Sequence, residues 1–139
     1  MHPLCPEMTF RCDGAAVGCP DGVLTTDNED AISCALQAFL DGDAGRISWL
    51  IENDMGQGGR NQVVFDLVGD GTLFRQRNDA LDLCFNVFGV QHLPLPASSH
   101  YTGCLTEPDW QSQFACLRNV PFAEPGEICL EGHESVNGC

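Results

Sequence analysis

Lysine is absent from this 139-residue sequence, and its positive charge rests on Arg11, Arg46, Arg60, Arg75, Arg77 and Arg118 alone. Against them stand 20 acidic residues, for a formal net charge of -14. Such a surface repels a phosphate backbone, which excludes nucleic-acid binding, and it disfavours an anionic membrane surface for the same reason. Long apolar runs are also lacking, the longest lying around Ile32 to Leu40, so no membrane insertion is expected. No apolar leader segment follows Met1, His2 and Pro3, and no Asn-x-Ser/Thr sequon occurs. Catalytic signatures are missing in turn. His133-Glu134 does not continue as a zinc-binding HExxH, and no Gly-x-Ser-x-Gly elbow is present. Gly56, Gly58 and Gly59 are not followed by the Lys-Ser/Thr of a phosphate-cradling loop. No cofactor is expected.

Cysteine is plentiful: Cys5, Cys12, Cys19, Cys34, Cys84, Cys104, Cys116, Cys129 and Cys139. Nine in so short a chain fit an oxidising compartment, and the chain reads as exported, to the periplasm or beyond the cell. With 43% hydrophobic residues and clear periodic segments, the acidic charge belongs to a folded surface. Residues 1–139 form one disulfide-rich domain of class α+β, with 1–25 as an irregular arm and 26–139 as the body.

The body is organised around Thr26 to Gly42. Thr26 and Glu29 have capping-box spacing, acids crowd the positive end of the dipole, and Gly42 supplies a left-handed stop. Ile32, Ala35, Leu36, Phe39 and Leu40 make a buried stripe. Alternation then predicts strands over 46–52, 61–68, 72–77 and 81–88, with turns at 69–71 and 78–79. The four strands form an antiparallel meander, to which 127–133 adds an edge strand. One face of this sheet takes the helix. Residues 89–97 read as a connector, because Pro94 and Pro96 oppose regular pairing. A second short helix follows, capped by Thr106, with Trp110, Phe114 and Leu117 on one stripe. The order of helix then meander resembles the cystatin-like or inhibitor-type α+β rolls in outline, without a signature motif of those families; the resemblance implies an architecture.

Helical geometry constrains the cysteines. Cys34 falls about 160° around the helix from Ile32, which directs it away from the sheet and toward the N-terminal arm or the second helix. A single helix from Thr106 would carry Cys116 about 13 Å from its start, beyond the roughly 7 Å that a disulfide spans, so Cys104 and Cys116 are not expected to bond each other. Cys129 and Cys139 can pair across the tail. One thiol of nine is left over, Cys5 and Cys139 being the expected odd members, and it offers a route to a disulfide-linked dimer or assembly. Cys5, Cys12 and Cys19 lack the close paired spacing of a zinc site.

Asp41, Asp43 and Glu52 take positions one, three and twelve of an EF-hand-like loop, but Arg46 stands where that loop needs glycine, so no metal is expected. The glycine-rich loop at 53–60 is longer than a tight turn requires and carries the adaptable Met55. Together with the proline-rich connector it nominates Met55, Gln57, Arg60 and His92 as ligand contacts. The expected function is a secreted, non-catalytic binding or inhibitor-type module for a protein or small ligand. The alternatives are a small extracellular hydrolase or thiol-redox protein using His92, His100 or the unpaired thiol, and a structural part of an extracellular or envelope assembly.

Overall fold

The computed structural model describes the chain except residues 15, 17, 21, 54–58, 82, 83, 88, 121, 123–126, 131, 132 and 137–139. For 81, 84–87, 127–130 and 133–136 it describes the backbone alone.

The organising helix is α1 (Asp30–Asp41), which buries Ala31, Ile32, Ala35, Leu36 and Phe39. Burial of the larger three, Ile32, Leu36 and Phe39, contributes about 1.5–3 kcal/mol each. Gly42 closes it in the left-handed region at φ 70°, its N–H donating to the Ala38 carbonyl at 3.0 Å. The N-terminus differs from expectation. The cap position is Glu29, without a side-chain cap hydrogen bond. Thr26 instead donates its hydroxyl to the Thr9 carbonyl at 2.7 Å, and Asn28 donates to the Glu7 carbonyl at 2.7 Å. Both residues thus tie the start of the helix to the segment at 7–9, which outweighs a local box.

That segment also corrects the irregular arm. Met8–Cys12 is a strand, β1, in which Met8, Phe10 and Cys12 are buried while Thr9 and Arg11 face outward. It pairs in parallel with β3 (Gly45–Asn53), Met8 opposite Trp49 and Phe10 opposite Ile51. A parallel pair needs a crossover, and α1 is that crossover, so the chain opens as a β-α-β unit. The two-residue β2 (Leu24–Thr25) lies against the outer edge of β1.

The meander follows. β3 pairs with β4 (Arg60–Leu67), and β4 with β5 (Thr72–Leu81), both antiparallel. β5 runs through the expected turn at 78–79 without a break. β6 (Cys84–Val87) pairs with its second half and β7 (Val90–Pro94) with its first, the register slipping by one residue between them. The expected connector is therefore mostly strand, and Pro94 is tolerated because it ends one. β8 (Glu127–Leu130) and β9 (His133–Val136) pair β7 and β6 in turn. The described segments form one mixed sheet, six strands across apart from β2. It is neither wholly antiparallel nor limited to four or five strands, and the resemblance to cystatin-like rolls stops at a helix lying across a meander.

Two helices follow: α2 (Ser98–Leu105), which was not expected from the sequence, and α3 (Trp110–Arg118), which is the helix expected from Thr106. The cap of α3 is Asp109 rather than Thr106, its carboxylate accepting from the Ser112 N–H at 2.7 Å. Because the chain turns back between them, Cys104 and Cys116 come within 5.5 Å at Cα and are bonded, against the single-helix expectation. Cys5 bonds Cys34, so the arm is the partner toward which Cys34 points and Cys5 is not an odd thiol. Cys12 bonds Cys19. Three disulfides among the described residues indicate an oxidising, extracellular environment. No described helix is long and apolar enough to cross a membrane.

Candidate functional site

Residues directly opposite in an antiparallel pair share a face of the sheet. The face under the helices carries Ile47, Trp49 and Ile51 of β3 and Val63, Phe65 and Leu67 of β4, all buried. Their partners on β5 are Leu73 opposite Leu67, Arg75 opposite Phe65, Arg77 opposite Val63 and Asp79 opposite Asn61. One apolar row of the core therefore continues into a charged row, two arginines followed by Asp79. Leu73 is fully buried, whereas Arg75 is half-buried and Arg77 exposed.

The result is a cleft of about 310 Å³ between the sheet, the end of α3 and the bridged loop at Gly18. Trp49, Val63 and Phe65 belong to its sheet wall, and Leu117, Val120 and Phe122 come from α3 and the chain beyond it. Arg75, Arg77 and Arg118 complete it, half of the positive residues in the chain, with Asp79 as the acid among them. Each side chain is positioned by its neighbours. Arg75 donates through Nε to Gln91 Oε1 at 3.2 Å and lies 5.1 Å from the Phe122 ring centroid. Arg118 donates to the Gly18 carbonyl at 2.7 Å and lies 5.5 Å from the Phe114 centroid. Asn61 donates to Asp79 at 2.6 Å. Burial lowers the Arg118 pKa by desolvation, yet a guanidinium starts high enough to stay charged.

A guanidinium carries five donors in a fixed fork, so holding a protein carbonyl and binding a ligand oxygen are compatible. The aromatic wall next to the fork suits a flat or apolar body. A cleft lined by three arginines on a chain of net charge -14 is a local inversion of charge. No family model matches the chain, and no curated protein or solved structure does either.

The residues nominated from the sequence lie elsewhere. Met55 and Gln57 fall outside the described residues. Arg60 pairs opposite Ala80, and His92 opposite Phe74, with which it stacks at 4.7 Å. Both belong to the other face of the sheet. Six strand positions separate them, about 20 Å at 3.3 Å per residue, so the structure does not bring them into one site. The backbones of Cys84 and Cys129 lie in β6 and β8, and Cys139 falls outside the described residues, so the expected Cys129–Cys139 pairing does too. The pattern that marks the cleft, Leu73-Arg75-Arg77-Asp79 in alternation, was present in the sequence. It becomes informative only once register shows that these positions share the core face.

A second cluster, His100 with Cys104 and Cys116, bears on the thiol-redox alternative. His100 Nε2 is 3.5 Å from Cys104 Sγ and 3.3 Å from the Cys116 carbonyl. A carbonyl only accepts, so this contact places the proton on Nε2 and leaves no lone pair there to act as a base toward sulfur. Both cysteines also sit in the last turns of α2 and α3, where the helix dipole disfavours a thiolate. This geometry favours a structural bridge.

Proposed function

We propose that the protein is an exported, non-catalytic binding module whose ligand is a small anion, or an anionic group presented by a larger partner, held in the cleft between β5 and α3. The observation that carries the reading is the convergence of Arg75, Arg77 and Arg118 on one cleft in an otherwise strongly acidic chain. Arginine on the core-facing side of a strand sacrifices hydrophobic burial, and anion recognition gives that sacrifice a purpose. The volume of about 310 Å³ is at the low end of small-molecule sites and suits a compact ligand.

Titration calorimetry with acetate and with inorganic phosphate at constant ionic strength tests this reading. A charge-assisted hydrogen bond contributes about 1.5–3 kcal/mol, which corresponds to roughly 10- to 100-fold in affinity. Arg77→Gln and Arg118→Gln should each weaken anion binding to that extent, while Arg60→Gln on the opposite face leaves it unchanged. Equal affinity in all three variants would remove the cleft from the function.

A further inference from the structure

Resting on the anion-binding reading, we infer that the cleft selects a carboxylate joined to an aromatic ring. Its guanidinium row lies beside Trp49, Phe65 and Phe122, so charge recognition and ring contact are available within a single small volume. Phe65 and Phe122 are already stacked, with centroids 5.7 Å apart and planes at 20°, and Trp49 lies 5.4 Å from Phe65. A ligand ring would extend an existing aromatic cluster. Phosphate or acetate is too small to cover both the arginines and this wall, whereas an aralkyl carboxylate has the length for both. Trp49 is 6% exposed and lines the cleft, completing this aromatic wall.

The same chemistry occurs in a free aryl or aralkyl acid and in the C-terminal carboxylate of a peptide that ends in an aromatic residue. Calorimetry on the intact protein, with its disulfides formed, separates these sources. The probes are 3-phenylpropionate, its neutral amide, acetate, inorganic phosphate, and a tetrapeptide ending in phenylalanine as the acid or the amide. The inference predicts saturable binding of 3-phenylpropionate or of the peptide acid at least tenfold tighter than acetate, with loss of at least tenfold in the corresponding amide. Either probe in that role upholds it, and the tighter one names the source. In Arg77→Gln the preference for acid over amide should shrink, while the thermal transition still shows a folded protein. Acetate and phosphate binding as tightly as the aromatic acids would overturn the aromatic selectivity and leave anion binding standing. Amides binding as tightly as acids would overturn the role of charge. If none of the anions binds, the functional reading fails and this inference fails with it.

Discussion

Tyr101 is the only tyrosine of the chain, and it is fully buried with its ring stacked on Phe39 at 5.0 Å. Its hydroxyl has no hydrogen-bond partner among the described residues, and desolvation pushes its pKa well above the ordinary value. The sign follows from linkage. The raised pKa contributes stability that is complete below the unfolded-state value of about 10 and is lost as pH rises from there toward the folded-state value. Urea midpoints measured between pH 8 and 10.5 should therefore fall more steeply in the parent protein than in Tyr101→Phe. At pH 8 the variant should be equal or slightly more stable, because it removes an unpaired buried hydroxyl. Asn53 is paired through its amide nitrogen. It is 7% exposed and donates to the Gly14 and Ala16 carbonyls at 2.6 and 2.8 Å. Asn53→Ala should cost about 1–3 kcal/mol in denaturant unfolding by leaving those acceptors unpaired. It should also weaken anion binding, since the same loop supplies the Gly18 carbonyl that holds Arg118. Neither role is legible in a sequence, where a tyrosine among serines and an asparagine at a strand end look ordinary. Thr26 shows the same limit: its spacing to Glu29 announces a cap, and only the proximity of Thr9 redirects its hydroxyl.

At the level of elements, local pattern was sufficient for α1, with its apolar stripe and Gly42 stop, and for the alternation in β3, β4 and β5. Pairings distant in sequence were not legible. The five-residue β1 lies among prolines and glycines, and its parallel partner is 41 positions away, as in Met8 opposite Trp49. The start of α3 was misplaced because Thr106 looked like a cap, although Pro108 opposes helix at the residue before it and Asp109 is the better acceptor, and α2 carries no apolar stripe to announce it. The Cys104–Cys116 bridge closes this helical pair across a sequence separation of 12. Replacing both cysteines by alanine should cost about 2–4 kcal/mol, read as a lower melting temperature, with the anion site retained if the bridge is structural. β5 carries the converse prediction. Arg77 stands opposite Val63 on the core-facing side, so Arg77→Val, with a residue suited to a strand, should keep the cooperative unfolding transition while weakening anion binding by the same roughly 10- to 100-fold as Arg77→Gln. A variant that lost both together would mean that Arg77 serves the fold.

Across the whole molecule, a net charge of -14 opposes compaction, and the cleft concentrates positive charge against that background. Salt should act on the two in opposite directions. Raising sodium chloride from 10 to 300 mM should raise the melting temperature by screening repulsion and weaken binding of the anionic probe by screening attraction and by competition. The sequence conveyed the acidity, the oxidising environment and the α+β class, because each follows from composition or local period. It directed attention to the loop at 53–60 and the connector, because glycine and proline are conspicuous and register is invisible. The most direct test of the central claim is a chemical-shift map of the isotopically labelled protein titrated with 3-phenylpropionate. The account predicts saturable shifts at Trp49, Val63, Arg75, Arg77 and Arg118, with Arg60 and His92 on the opposite face unmoved. Shifts centred on 53–60 and His92, with Trp49 and Arg77 silent, would contradict it.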